Sequence, residues 1–312
     1  MIPIVVILGP TASGKSSLGI RLAKKWNGEI VSTDSRQVYK GLDIGTAKVT
    51  KKEQRQVPHH LLDVSSPGKM MHIAKYKRLA DGTICDIWKR KKIPFLVGGS
   101  ALYINAVIYN YTIPAIGVTK KRKELECKSI KQLLTLLKQK DLITYKRIDH
   151  ANKRRLVRAL EVCYATGKKF SDFQTRGEKK YEVLLLGISS PREVLYHHIG
   201  MRIDERMKKG MIAEVKKLIA SGVSKKWLKS LGLEYRFITE YLQGSQTKNA
   251  YTEMVQRLKY ASHDFARRQL TWFKKNSAIH WIETHKQAEN LCKSFIKQHT
   301  PTRLRAGVKK ER

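Results

Sequence analysis

The strongest constraint on the fold is an apolar strand pattern that runs directly into a glycine-bounded turn and then a helix. Residues 2–8 are almost all apolar and mostly β-branched, which predicts a buried strand, and a helical pattern follows over 17–25. The turn between them reads Gly9-Pro10-Thr11-Ala12-Ser13-Gly14-Lys15-Ser16. Glycines at such positions let successive backbone N–H groups converge on phosphate oxygens. We therefore predict a phosphate site at residues 9–16, with Lys15 on a terminal phosphate and Ser16 as the Mg²⁺ ligand.

The balance of charge indicates a polyanionic partner. The 312 residues include 63 Lys and Arg against 26 Asp and Glu, a formal net charge of +37. Such an excess favours nucleic acid first and an anionic membrane surface second. The four cysteines lie far apart without zinc spacing, so no metal cluster or disulfide is expected and a reduced cytoplasm fits. The opening apolar run is too short to span a membrane.

Strand and helix patterns alternate along the first part of the chain. Further strand candidates cover 29–33, 58–64 and 93–100, the last ending in glycines, and helical spacing covers 72–91. This alternation predicts an α/β fold with a doubly wound parallel P-loop sheet, in which ligands lie beyond the carboxyl ends of the strands. Ser13, Asp34 and Ser100 each come just past such an end. We expect the fold to bring these three residues together.

The sequence changes character over residues 112–177, where strand signals give way to helical periodicity with dense Lys and Arg. We interpret this stretch as a basic helical insertion that divides a catalytic core of 1–111 and 178–290. Residues 291–312 are interpreted as a basic tail that is loose from Lys297 onward.

A helix predicted to start at Asn152 concentrates positive charge in the insertion. Its first turns place three arginines within reach of one another and turn Leu156 and Leu160 toward a core. A stop is expected at Gly167. The three arginines are Arg154, Arg155 and Arg158.

Three further side chains have more than one chemical interpretation. Asp34 could cap a turn, bind magnesium or accept a proton from a substrate. A bare carboxylate facing a pyrophosphate is unfavourable unless metal or arginine intervenes. Arg202 and Arg206 lie four residues apart on a predicted helix, where they form either a bidentate phosphate clamp or an ordinary solvated face.

Several motifs, taken together and in order, resemble those of the tRNA dimethylallyltransferase family, also called tRNA isopentenyltransferase. They cover nearly the whole chain, and GPTASGKS with DIGTAK and LVGGS is far more specific than a P-loop alone. No C-terminal zinc-finger spacing is present, so the resemblance is to the bacterial type. The matching segments are residues 9–16, 34–37, 39–48, 58–63, 96–100, 155–162 and 267–272.

This resemblance implies a prenyltransferase. The implied reaction moves a dimethylallyl group from dimethylallyl diphosphate to the exocyclic N6 amine of the adenosine 3′-adjacent to the anticodon, giving N6-isopentenyladenosine. The substrates implied are tRNAs reading codons that begin with U. The turn at 9–16 would then hold a prenyl diphosphate with Mg²⁺ instead of a nucleoside triphosphate. The insertion would grip the anticodon stem-loop of the tRNA, and a cytoplasmic monomer without membrane contact is expected.

The resemblance also implies residue roles. Asp34 is the base on the adenine amine, Ser100 touches the tRNA near the reacting centre, and Lys15 and Arg206 act on the diphosphate. The implied diphosphate-binding residues are Gly9, Pro10, Thr11, Ala12, Ser13, Gly14, Lys15 and Ser16. The implied tRNA-binding residues are Asp34, Ser35, Arg36, Gln37, Ser100, Arg122, Arg154, Arg155, Leu156, Val157 and Arg158.

Three positions depart from the family pattern. Ser16 and Ser100 each replace a commoner threonine and keep the hydroxyl group. Glu234 stands where glycine more often precedes the tyrosine at 235. The role of the expected loop Glu234-Tyr235-Arg236 therefore stays open.

Two other functions are compatible with a phosphate turn. A P-loop kinase for a small metabolite would leave the basic insertion without a role. A non-catalytic RNA-binding switch that cycles nucleotide would account for both the turn and the charge. Transfer of a prenyl label into tRNA distinguishes these functions.

Overall fold

The computed structural model describes residues 1–114, 116, 119–173 and 177–299. These residues form two compact units. The core unit comprises Met1–Ile104 and the described residues from Lys180 onward, and the inserted unit comprises Asn105–Lys179. The second unit thus extends slightly beyond both ends of the insertion expected at 112–177.

The core unit is built on a parallel sheet, as the strand and helix alternation predicted. Within the described residues the sheet has six strands in the order β3-β2-β4-β1-β5-β6. The near-continuous apolar runs of β1 and β4 are buried, apart from the half-buried Ile2, because helices cover both faces of a parallel sheet. The strands are β1 (Ile2–Leu8), β2 (Gly28–Ser32), β3 (His59–His60), β4 (Ile93–Gly98), β5 (Tyr181–Ile188) and β6 (Ile279–Ile282).

The helices account for most of the remaining described chain. One of them, α4, crosses the division between the two units. Within the described residues, none of the helices is long and apolar enough to cross a membrane. The helices are α1 (Lys15–Lys25), α2 (Lys51–Gln56), α3 (Ile73–Lys89), α4 (Ala101–Ile108), α5 (Lys120–Cys127), α6 (Ile130–Lys140), α7 (Leu142–Arg147), α8 (Lys153–Thr166), α9 (Arg192–Lys208), α10 (Met211–Ala220), α11 (Lys225–Leu231), α12 (Leu233–Gln243), α13 (Lys248–Phe273) and α14 (His285–His299), with a 3-10 turn at Phe170–Phe173.

The last helix corrects the prediction of a basic tail from residue 291. Residues 291–299 belong to α14, whose Ala288, Cys292 and Ile296 are buried in the same core as the strand side chains. The i, i+4 spacing of these apolar residues forms a stripe that the sheet can cover, so the basic residues between them do not make the segment loose. Lys297 therefore lies in a helix, and residues 300–312 lie outside the described residues.

The inserted unit has its own small core. Apolar side chains of α5, α6 and α8 pack together, including Leu125, Leu133, Leu137, Leu156 and Leu160. The α8 helix starts where the Asn152 side chain accepts a hydrogen bond from the Arg155 amide, and it ends at Gly167 with φ 68°. The predicted helix and its stop are therefore confirmed.

The prediction of a loop at Glu234-Tyr235-Arg236 is wrong. These residues form the first turn of α12, which begins at Leu233 directly after α11 ends. Gly232, with φ 83°, separates the two helices, and the Tyr235 side chain is buried. One glycine with a positive φ is enough to redirect the chain, so no loop is needed.

Candidate active site

The phosphate turn begins where β1 ends. Gly14 adopts φ 85° and directs the chain into α1, whose first residue is Lys15. Within the described residues, no hydrogen bond uses the backbone N–H groups of residues 12–16 as donors. The Ser13 hydroxyl is also buried without a partner in that part of the chain. Unpaired donors around a concave turn form an anion cradle.

Lys15 lies inside this turn, where its ammonium group donates to the Pro10 carbonyl. Burial lowers the pKa of Lys15 to about 8, while the attraction of Asp34 opposes that shift and repulsion from Arg202 adds to it. Among the described residues Lys15 has no carboxylate hydrogen-bonded to it. A buried ammonium group without such a partner favours an anionic ligand.

Asp34 and Ser100 meet at the carboxyl edge of the sheet. Asp34 Oδ1 accepts hydrogen bonds from the backbone N–H groups of Arg36 (2.8 Å) and Gln37 (3.3 Å), so one oxygen caps the turn. Oδ2 accepts none from the described residues and stays available. The Ser35 amide donates to Ser100 Oγ at 3.1 Å, which joins the segments that follow β2 and β4.

The α9 helix presents two arginines to the same region. Arg206 Nη1 donates to the Gly45 carbonyl (2.7 Å) and to Glu234 Oε1 (2.8 Å), and its Nε donates to the Arg202 carbonyl (3.1 Å). Among the described residues nothing pairs with its Nη2, which is the edge left for an anion. The Arg202 guanidinium likewise has no described partner, and burial followed by repulsion from Arg206 lowers its pKa.

Residues 12–16 of the turn and both α9 arginines line one cleft of about 1010 Å³ in the core unit. Asp34 and Ser100 are not part of this lining, but Asp34 lies close enough to Lys15 to attract its charge. Positive charge predominates in the cleft, since seven Lys or Arg residues line it against four acidic ones. The cationic residues are Lys15, Lys40, Lys48, Lys51, Arg202, Arg206 and Lys209. The acidic residues are Asp43, Glu53, Asp63 and Glu205.

The oxygen ligands of the cleft suit Mg²⁺ only together with a substrate. In the described part of the chain no group of three or more His, Cys, Asp or Glu side chains is arranged to hold a metal ion. Ser16 lines the cleft at the start of α1. Mg²⁺ is usually bound by one or two protein oxygens plus substrate phosphates, and the hydroxyl of Ser16 fits that pattern.

Two residues that the sequence patterns missed fix backbone segments around the site. The Glu214 carboxylate accepts the backbone N–H groups of residues 43 (2.8 Å), 44 (2.7 Å) and 45 (3.0 Å), which fixes one wall. Gln269 connects the phosphate turn to the segment after β4. Glu214 lies on an amphipathic helix without any local signal, whereas Gln269 lies in the matching segment 267–272.

The predicted tRNA contacts next to Asp34 are half-buried at the sheet edge. The Gln37 side-chain amide already donates to the carbonyls of Thr46 and Ala47, both at 3.3 Å. It therefore braces the loop that carries those two residues. Ser35 and Arg36 have partly exposed side chains.

The predicted contacts in the inserted unit separate into three kinds. Arg122 and Arg158 both donate to the buried Glu161 carboxylate, at 3.2 Å and 2.8 Å. Arg154 and Arg155 are exposed. The remaining two, Leu156 and Val157, are buried in the core of the unit, so a side-chain contact with RNA at these positions is wrong because the helix turns them inward.

Comparison with known proteins identifies the family. The IPP transferase family model matches residues 37–276, and the isopentenyl transferase model matches residues 2–71. The chain is 42% identical over 289 residues to the tRNA dimethylallyltransferase of Geobacillus thermodenitrificans, covering 90% of each chain. It is 40% identical over 284 residues to that of Anoxybacillus flavithermus, again covering 90% of each.

Solved structures agree with these matches. The full-length tRNA isopentenylpyrophosphate transferase of Bacillus halodurans is similar with a TM-score of 0.72 and 34% identity, covering 96% of this chain and 98% of that one. A eukaryotic dimethylallyltransferase captured acting on tRNA is similar with a TM-score of 0.83 and 26% identity, covering 97% and 81%. The predicted α/β P-loop fold is confirmed, and the chain belongs to the IPP transferase family.

Proposed function

We propose that this chain transfers a dimethylallyl group from dimethylallyl diphosphate to the N6 amine of the adenosine 3′-adjacent to the anticodon. The substrates are tRNAs reading codons that begin with U, the product is N6-isopentenyladenosine, and the enzyme works as a monomer in the cytoplasm. Family membership supports prenyl transfer to tRNA. The observation that best supports the proposal is an unpaired phosphate turn lining a cationic cleft, with a carboxylate near Lys15 whose Oδ2 accepts no hydrogen bond among the described residues.

The diphosphate binds against the turn at 9–16. Its oxygens accept hydrogen bonds from the amides of residues 12–16 and from the Ser13 hydroxyl, while Lys15 and Arg206 Nη2 supply charge. Mg²⁺ held by Ser16 and the diphosphate oxygens would neutralise part of the negative charge on the leaving group. These donors are in place before the reaction and act where negative charge develops.

Asp34 acts as the general base. The N6 lone pair of the flipped-out adenine forms a bond to C1 of the prenyl group, the C1–O bond breaks, and the diphosphate leaves with the electron pair. The proton released from N6 passes to Asp34 Oδ2, the oxygen not used in capping the turn. Ser100 holds the Ser35 amide and so fixes the segment that carries Asp34.

The inserted unit supplies the grip on the anticodon arm. Arg154 and Arg155 are exposed, and Arg122 and Arg158 are partly exposed while their Nη1 atoms are held by Glu161. Arginines at such positions bind phosphates, so affinity for tRNA should depend on salt.

Labelled dimethylallyl diphosphate tests the reaction directly. Incubation with unmodified tRNA should place the label in the anticodon loop, and the mass of that fragment should rise by one dimethylallyl group. Dimethylallyl diphosphate with a tRNA lacking adenosine at that position is the matched control. Turnover of ATP with no label in any tRNA that reads codons beginning with U would contradict the proposal and indicate a kinase or a nucleotide switch.

Salt dependence tests the role of the inserted unit separately. Replacing Arg154, Arg155 and Arg158 together with Gln should reduce the slope of log affinity against log salt by about 2. A triple Gln variant at the exposed Lys216, Lys217 and Lys226 of the core unit removes the same charge and should leave the slope nearly unchanged. Equal slopes for the two variants would show that the α8 arginines do not contact the RNA backbone.

A further inference from the structure

One side chain connects the two segments that hold the proposed reactants. Gln269 lies on α13 and is only 8% exposed. Its Oε1 accepts the backbone N–H of Thr11 at 2.9 Å, and its Nε2 donates to the Gly99 carbonyl at 2.9 Å. A single amide therefore bridges the phosphate turn after β1 and the segment after β4.

The partners fix the orientation of this amide. The Thr11 amide is a donor and can face only the oxygen of Gln269, whereas the Gly99 carbonyl is an acceptor and can face only the nitrogen. The approach is also tight, because a Cβ atom on Gly99 would overlap Gln269 Nε2. Glycine at 99 is thus required by the bridge itself, and the amide has one position and one orientation.

The bridge also distinguishes two kinds of backbone amide in the phosphate turn. The Thr11 amide is occupied by Gln269, whereas the amides of residues 12–16 are unpaired within the described residues. Thr11 thereby fixes the turn to α13 while the amides that follow it remain for the diphosphate. On the other side, Gly99 directly precedes Ser100, which accepts the Ser35 amide next to Asp34.

We propose that Gln269 is a positioning residue that sets the distance between the diphosphate cradle and the segments carrying Ser100 and Asp34 at the carboxyl edge of the sheet. This inference rests on the proposed prenyl transfer. The electrophilic carbon is held through the diphosphate, and the amine is held beside Asp34, so the two halves must be in register for the bond to form. Reacting atoms need to lie about 3–3.5 Å apart, and a misplacement of about 1 Å can cost roughly 10²-fold in rate.

A positioning role predicts a specific kinetic pattern. In Gln269→Met, which keeps the volume but removes both hydrogen bonds, kcat should fall by about 10- to 100-fold. The KM values for dimethylallyl diphosphate and tRNA should stay within about threefold, because neither cradle loses a ligand-binding group. Gln269→Asn keeps the amide but is one methylene too short to span both partners, and it should show the same pattern. Single-turnover rates at saturating substrate measure the chemical step directly.

Matched controls separate this role from a purely structural one. Gln256 lies on the same helix, is exposed and is remote in sequence from the bridge, so Gln256→Met and Gln256→Asn should leave kcat unchanged. A kcat within about threefold of the unsubstituted enzyme in Gln269→Met would overturn the proposal. The proposal would also be overturned if both Gln269 variants lose kcat only because they are unfolded at the assay temperature. If the unsubstituted enzyme itself transfers no prenyl group, the proposed function fails, not the role of Gln269.

Discussion

Glu29 near the amino end of β2 and Asp34 just beyond its carboxyl end are two carboxylates in a strongly basic chain, but their surroundings differ. Glu29 is 1% exposed and is hydrogen-bonded to an arginine, a lysine and a histidine side chain. Arg90 contacts both of its oxygens, Lys92 donates to Oε1 at 2.8 Å, and His60 lies 2.7 Å from Oε2. Burial alone would raise the pKa of Glu29, but these hydrogen bonds outweigh it and lower the pKa to about 2.

Asp34 has no such cluster around it. Its Oδ1 accepts only backbone amides, its Oδ2 accepts nothing among the described residues, and the nearby ammonium of Lys15 donates to a carbonyl instead. Charges that are fully paired stabilise the fold, whereas charges left unpaired at the carboxyl edge are available to a ligand. The carboxylate at the amino end of β2 thus serves stability, whereas the carboxylate beyond its carboxyl end is available for catalysis. This difference can be tested.

The largest expected effect is on turnover at the carboxyl edge. Asp34→Asn keeps an oxygen to cap the turn but removes the base, so kcat should fall by about 10²- to 10⁴-fold. Affinity for tRNA should change little, because Asp34 accepts a proton and does not bind the RNA backbone. Glu29→Gln is the control at the other end of β2 and should retain normal turnover. Near-normal kcat in Asp34→Asn would remove this residue from the mechanism.

The next largest effect is on diphosphate affinity, and it should distinguish Arg206 in the cleft from Arg90 beside Glu29. Arg206 offers Nη2 to the cleft, so Arg206→Ala should weaken binding of dimethylallyl diphosphate by about 10- to 100-fold, the loss of one charge-assisted hydrogen bond. Arg90→Ala removes an arginine that is committed to Glu29 and should leave that affinity unchanged. Calorimetric titration of each variant measures the difference, and equal affinities would refute a role for Arg206 on the diphosphate.

The fold and part of the site were predictable because their signals are local. The apolar runs at β1 and β4 and the spacing of Gly9, Gly14 and Lys15 depend only on neighbours in sequence. From these, the parallel sheet places Asp34 and Ser100 at one edge, as observed. The roles assigned to individual residues stay predictions.

The rest depends on contacts between residues far apart in sequence. Glu214 caps amides about 170 positions before it, and Gln269 reaches residues 258 and 170 positions away. No periodicity marks such contacts. The basic composition after residue 290 concealed the apolar stripe of α14, and Glu234 was mistaken for a loop residue because Gly232 both ends α11 and precedes α12.

A smaller effect should appear in stability at the amino end. Glu29→Gln should reduce the free energy of unfolding at pH 7 by about 1–2 kcal/mol, a modest loss because its three side-chain partners are partly exposed and can be hydrated in the variant. The folded pKa of about 2 lies below the ordinary value of 4.5, so this stabilisation is present above about pH 4.5 and disappears as the pH falls toward 2. Urea titrations of both proteins across this range should converge at low pH, and a constant difference would show that charge pairing at Glu29 is not the cause.

The smallest effect is a pH dependence that should belong to the carboxyl edge alone. Burial lowers the pKa of Lys15 to about 8, so the ligand-free enzyme loses this positive charge as the pH rises through that value. Because the charged form binds the anion, pyrophosphate affinity should fall by about threefold between roughly pH 7.5 and 8.5. Lys15→Arg stays charged throughout and corrects for the ionisation of pyrophosphate itself. If the ratio of the two affinities is flat with pH, Lys15 is protonated over the whole range, and the cleft supplies a counter-charge to it as Arg90 and Lys92 do for Glu29.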